Sequence, residues 1–108
     1  MSEGRLQKQI KEYLSERGAY VETIFGGGYQ SAGVPDILAS YKGRFLAVEV
    51  KSPNGKGVAS DIQILKIREI RQSGGVGLFA DSMEDVEKVL EQMDNNEEII
   101  YSKDSKYI

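Results

Sequence analysis

The sequence predicts an α/β fold, a mixed β-sheet flanked by helices in the order α-β-β-β-α-β-α. Three observations predict it. Apolar residues recur at helical spacing in three separate stretches, 3–17, 61–72 and 83–93. Between them lie four short runs rich in β-branched and aromatic residues, 19–25, 35–41, 44–51 and 76–80. The chain has only 108 residues, about one small domain, so all seven elements must share one core.

Each element has its own warrant. In the first helix Leu6, Ile10, Tyr13 and Leu14 form the apolar stripe, Ser2 is a suitable N-cap and Gly18 a suitable stop. The run AYVETIF (19–25) reads as a strand. GGGYQSAG (26–33) is half glycine and reads as a mobile loop. PDILASY and RFLAVEVK are strands joined by Lys42-Gly43, a two-residue hairpin connection. SPNGKGVAS (52–60) is a loop of turn-formers. Ser60 caps the second helix, and Gly74 and Gly75 end it. VGLFA is a short apolar strand. The third helix aligns Met83, Val86, Val89, Leu90 and Met93 on one face. Residues 1–94 are read as the domain. Residues 95–108 are read as an acidic extension, an edge strand over 98–101 or a partly disordered tail.

Composition excludes much chemistry. Cysteine and histidine are both absent. That removes disulfides, Cys/His zinc sites, Ser-His and Cys-His nucleophiles and histidine acid–base catalysis. A metal site would have to be built from oxygen donors, which favours magnesium, manganese or calcium. The net charge of −3 is unevenly spread: residues 1–80 carry +3 and residues 81–108 carry −6. A mildly basic body is thus followed by an acidic end. No run approaches the ~18–20 apolar residues of a membrane span. The N-terminus lacks the apolar core of a signal peptide, so an intracellular location is expected.

The hairpin register brings charges together. With Lys42 and Gly43 as the turn, Ile37 faces Val48 and Asp36 faces Glu49. Opposed residues in an antiparallel pair lie ~5 Å apart, and like charges there are destabilising. Lys51 shares the face of Glu49, while Val48 and Val50 point to the other. A cation would relieve the Asp36–Glu49 repulsion, with water and phosphate oxygens completing a magnesium-type shell and the Val50 carbonyl as a further ligand. Lys51 beside them suits stabilisation of a charged phosphate or positioning of a water. From spacing alone a second reading stands: Glu49 and Lys51 as a solvated strand face, and Asp36 as a polar strand start after Pro35.

Gly33-Val34-Pro35-Asp36, a hairpin and then Glu49-Val50-Lys51 resemble the PD-(D/E)XK nuclease signature. The wider order is similar to the VRR-NUC (virus-type replication-repair nuclease) branch: a helix with Glu3, the G-x-P-D strand, the E-V-K strand, Ser52-Pro53, and a helix entered through Ser60-Asp61-Ile62-Gln63. The resemblance covers residues 2–80. It implies a restriction-endonuclease-like fold and metal-dependent phosphodiester cleavage using Mg²⁺ or Mn²⁺. It implies Asp36 and Glu49 as metal ligands and Lys51 as the catalytic lysine. It also implies that Glu3 joins the metal or its water shell and that Gln63 supports the site, holding Lys51 or a water. On the residues alone, Glu3 equally suits the helix dipole and Gln63 a capping box.

Outside the signature, Gly26 to Gly28 lack the Gly-Lys-Ser/Thr of a phosphate loop and read as a connection or as a close approach to DNA with Tyr29 at its tip. Lys56 is a candidate phosphate contact, with Arg5, Lys8, Lys42 and Arg44 extending a track. Each also reads as an ordinary surface charge. The 61–72 helix is apolar nearly all round. The face near Ile64 and Leu65 needs cover, either from the 83–93 helix or from a second copy. The small size fits the viral type of the family, within the cytoplasm of a bacterial host, for which resolution of four-way (Holliday) junctions by a homodimer is the expected activity. The alternatives are a flap, nicking or restriction-like nuclease, and a non-catalytic DNA-binding module.

Overall fold

The structure, a computed structural model, describes residues 1–24 and 32–108. The elements are α1 (Glu3–Glu16), β1 (Tyr20–Thr23), β2 (Ile37–Tyr41), β3 (Arg44–Val50), α2 (Asp61–Gln72), β4 (Val76–Ala80), α3 (Met83–Asp94) and α4 (Asp104–Tyr107). The sheet order is β1-β2-β3-β4. β1, β2 and β3 pair antiparallel and β3 pairs parallel with β4, across the α2 crossover.

The hairpin register is the expected one. Ile37 pairs with Val48, Ala39 with Leu46 and Tyr41 with Arg44. Lys42 (φ 48°) and Gly43 (φ 79°) both take left-handed conformations, as a two-residue turn matched to strand twist requires. β2 opens at Ile37 rather than Pro35. Proline has no N–H for a ladder, and the Asp36 side chain meets the facing strand instead. The expected loop over 26–33 lies mostly outside the described residues, as does the last residue of the expected first strand.

One sheet face carries α1 and α3 over Ile37, Ala39, Leu46, Val48, Val50, Leu78 and Ala80. The other carries α2 and α4, with Ile67, Phe79 and Tyr107 packed together against Ile64. Alternation along β3 therefore sends Val48 and Val50 to one core and Glu49 toward α2. Two glycines let α2 lie close. A Cβ on Gly77 would come within 3.2 Å of Ile70, and one on Gly33 (φ +78°) within 2.8 Å of the Ile62 carbonyl. The G-x-P-D turn is thereby seated on the first turn of α2.

Two expectations are corrected. Residues 98–101 form no strand, and the last residues end in α4, whose Tyr107 is buried. Arg71 holds this segment by a paired contact with Asp104 (2.8 and 2.9 Å) and by stacking 3.5 Å over the Tyr101 ring. The segment orders because its charged groups find buried partners on the domain. Second, α3 does not cover α2, because they occupy opposite faces. Tyr107 covers Ile64, and Leu65 stays exposed.

Candidate active site

Three of the expected residues meet where β3 leaves the sheet. Glu49 and Lys51 are buried, at 4% and 7% exposure. Asp36 Oδ2 accepts from the Val50 N–H at 2.9 Å, so the carboxylate is fixed against the end of β3. N–H and C=O of one strand residue point to the same edge, so the Val50 carbonyl also faces the Asp36 side. Lys51 N–H donates to the Ala80 carbonyl at 2.8 Å, which ties the lysine to the end of β4.

Gln63 joins the groups into one network. Lys51 Nζ donates to Gln63 Oε1 (2.7 Å) and to the Val58 carbonyl (3.1 Å). Gln63 Oε1 also accepts from the Ser60 N–H, and Gln63 Nε2 donates to Glu49 Oε2 (3.3 Å). Two donors on the oxygen fix the amide orientation, so the nitrogen must face Glu49. The capping box and the site-supporting role coexist in one side chain. Lys51 Nζ stands 4.0 Å from Glu49 Oε2.

Glu49 shows the electrostatic state of the site. Its carboxyl is pushed up to about 8, first by burial, then by the Asp36 charge and a hydrogen bond shared with Asp36. Lys51 pulls the other way, and Glu3 adds a smaller push. One buried lysine, partly committed to Gln63 and Val58, does not offset two facing carboxylates. The donor set of Asp36, Glu49 and the Val50 carbonyl is all oxygen, short of positive charge, and fits a hard divalent cation.

The remaining predicted residues divide by position. Glu3 is exposed in the first turn of α1, and its charge reaches Glu49. Among the described residues no three acidic side chains gather closely enough to hold an ion, so Glu3 does not complete a carboxylate triad. Arg5 and Lys8 are exposed on the same end of α1, and Lys56 is exposed on the loop after β3. Lys42 and Arg44 lie at the opposite end of the hairpin, roughly 15 Å of strand from Asp36. Lys42 is bound there to Asp94 at 2.7 Å, together with Arg17 and Tyr41, so it belongs to a structural hub. Tyr29 lies outside the described residues.

Composition alone pointed away from a further group. Asp81, directly after β4, and Asp85 are buried. Lys103 bridges both, at 2.6 and 2.8 Å, and Lys106 and Tyr107 donate to Asp81 at 2.9 and 2.7 Å. The acidic end of the chain is therefore beside the site. The available signal was an aspartate at the end of an apolar strand and the lysines of KDSKY.

A mixed sheet that presents an acid before β2, and an acid and a lysine at the end of β3, defines a nuclease of the PD-(D/E)XK class. The comparisons narrow this class. The model of the archaeal Holliday junction resolvases (Hjc) matches residues 4–107, and the chain belongs to that family. A solved VRR_NUC domain is 31% identical, with a TM-score of 0.66 over 82% of this chain and 94% of the other. The structure of Hjc from Archaeoglobus fulgidus, a Holliday junction resolvase of an archaeal hyperthermophile, shares the fold at 21% identity. Its TM-score is 0.52, over 71% of this chain and 65% of that one. No curated protein matches the sequence. No helix among the described residues is long and apolar enough to cross a membrane.

Proposed function

We propose that the protein is an endonuclease that cleaves four-way DNA junctions by hydrolysing phosphodiester bonds, with Mg²⁺ or Mn²⁺ held by Asp36, Glu49 and the Val50 carbonyl. The observation that carries this reading is the facing pair of half-buried Asp36 and buried Glu49, whose charge the chain leaves uncompensated, in a member of a resolvase family. When bound, the ion supplies Lewis-acid activation of a water and neutralises the attacked phosphate. Every other part is the chain's own. Asp36 is fixed by Val50 N–H, and Glu49 is held by Gln63. Lys51, held by Gln63 and Val58, presents its ammonium to the charge that develops on the phosphate oxygens. Glu3 acts on the charge balance around Glu49 from the rim.

A four-way junction needs two symmetric cuts, and a two-fold homodimer brings two sites to one substrate. An exposed apolar face supports this. Tyr20 on β1 and Phe45 on β3 are exposed, Leu38 on β2 lies half-buried between them, and Leu65 on α2 is half exposed. It adjoins the site, because Pro35 and Leu38 share one groove on this face.

The test is cleavage of linear, flap and four-way DNA with and without Mn²⁺. The reading predicts paired symmetric nicks in the four-way substrate, with Mn²⁺ only, and their loss in Lys51→Ala. One-sided cuts would favour a flap or nicking nuclease. No metal-dependent cleavage of any substrate would favour a binding module. Phe45→Glu is expected to dissociate the dimer in sedimentation while leaving single nicks.

A further inference from the structure

The loop after β3 is bracketed by lysines. Its two glycines each admit one. A Cβ on Gly57 would lie 3.4 Å from the Lys51 side chain, and a Cβ on Gly55 would lie 3.1 Å from Lys106 Nζ. Lys56 stands between them and is exposed, and its N–H is fixed by the Asn54 side chain at 2.8 Å. Three cations thus surround six residues at the rim of the catalytic strand, where like charges repel.

The two lysines of the last segment are not equivalent. Lys103 makes three contacts of 2.9 Å or less to Asp81 and Asp85 and bridges that buried pair. Lys106 makes a single one, to Asp81 Oδ2, which Tyr107 already serves. Its side chain is 37% exposed. An ammonium carries three N–H donors, so two of those on Lys106 are uncommitted among the described residues. Anchored on Asp81 and seated over Gly55, it offers them at the loop that also carries Lys56.

We infer that Lys106 is a DNA-positioning residue: with Lys56 it forms a two-lysine phosphate clamp beside the active site, contributed by the C-terminal helix. The inference rests on the junction-nuclease reading. A DNA backbone adds counter-charge where Lys56 is exposed and Lys106 has a single carboxylate contact, with phosphates spaced so that one meets Lys51 and its neighbours meet the clamp.

The test is binding of four-way DNA across a range of salt without divalent ions, by the full chain, by Lys106→Gln and by Lys106→Arg, with thermal melting of each. Glutamine keeps a donor for Asp81 and removes the charge. The inference predicts that Lys106→Gln melts near the parent while its log–log salt slope falls by about one for each chain on the DNA, and that arginine restores it. An unchanged slope overturns the inference, including when melting falls, because the lysine would then be a structural clasp only. A parent that binds no junction overturns the junction reading and this inference with it. A binding parent with an unchanged variant slope overturns the clamp alone.

Discussion

The molecule holds two acidic pairs at the same end of its sheet, Asp81 with Asp85, both buried, and half-buried Asp36 with buried Glu49, and they are in opposite states. Asp81 and Asp85 receive Lys103, Lys106, Tyr107 and Ser102. Burial pushes Asp81 up, but the hydrogen bonds from Lys103, Tyr107 and Lys106 outweigh it and hold it well below the usual carboxylate range. Among the described residues Asp36 and Glu49 have only Lys51, a peptide N–H and an amide, and Glu49 is held protonated up to about 8. A pair that the chain neutralises itself is architecture. A pair left short of cations, a few residues away in space, is a place for a ligand that brings its own charge.

The largest way to break the comparison is to remove charge from the undersupplied pair. Glu49→Gln or Lys51→Ala is expected to lower junction cleavage by about 10²- to 10³-fold, read in single-turnover assays. Glu49→Gln should raise metal-free melting at pH 7, because folding no longer has to protonate a carboxyl that is ionised in the unfolded chain. Asp81→Asn should do the reverse. It strands two lysines and is expected to cost about 2–3 kcal/mol in denaturant unfolding.

The two pairs should also give opposite pH limbs in the metal-free protein. Asp81 has a depressed folded value, so its stabilisation is present above the unfolded value near ~3.9 and is lost as pH falls below it. Glu49 has a raised folded value, so stability falls as pH rises from ~4.3 toward 8, by up to ~1.4 kcal/mol per unit. Melting against pH should lose its acid limb in Asp81→Asn and its alkaline limb in Glu49→Gln. The smallest expected effect is at the linker: Gln63→Ala should lower cleavage about tenfold by freeing Lys51 and Glu49, with Gln63→Glu doing worse by adding a third carboxylate.

Local rules made the undersupplied pair legible and hid the other. A two-residue turn fixes register, and register with period-two alternation places Asp36, Glu49 and Lys51 on one face without any tertiary information. Gln63 followed from helical phase. The Asp81 pair depends on contacts across more than twenty residues, made by a tail whose acidic composition looks like solvent-exposed extension. The surroundings of Lys42 were hidden for a related reason: its charge is visible in the sequence, but its pairing with Asp94 from a distant helix is not. Neither helix phase nor charge says on which sheet face α3 packs, so the cover of α2 by Tyr107 required the fold.

The most direct test is calorimetric titration of Mn²⁺ into the metal-stripped parent, Glu49→Gln and Asp81→Asn at pH 7. Binding by the parent and by folded Asp81→Asn, and its loss in Glu49→Gln, is the predicted result. Equal Mn²⁺ binding by Glu49→Gln, or none by the parent, would contradict the assignment of Asp36 and Glu49 as the pair built for a cation.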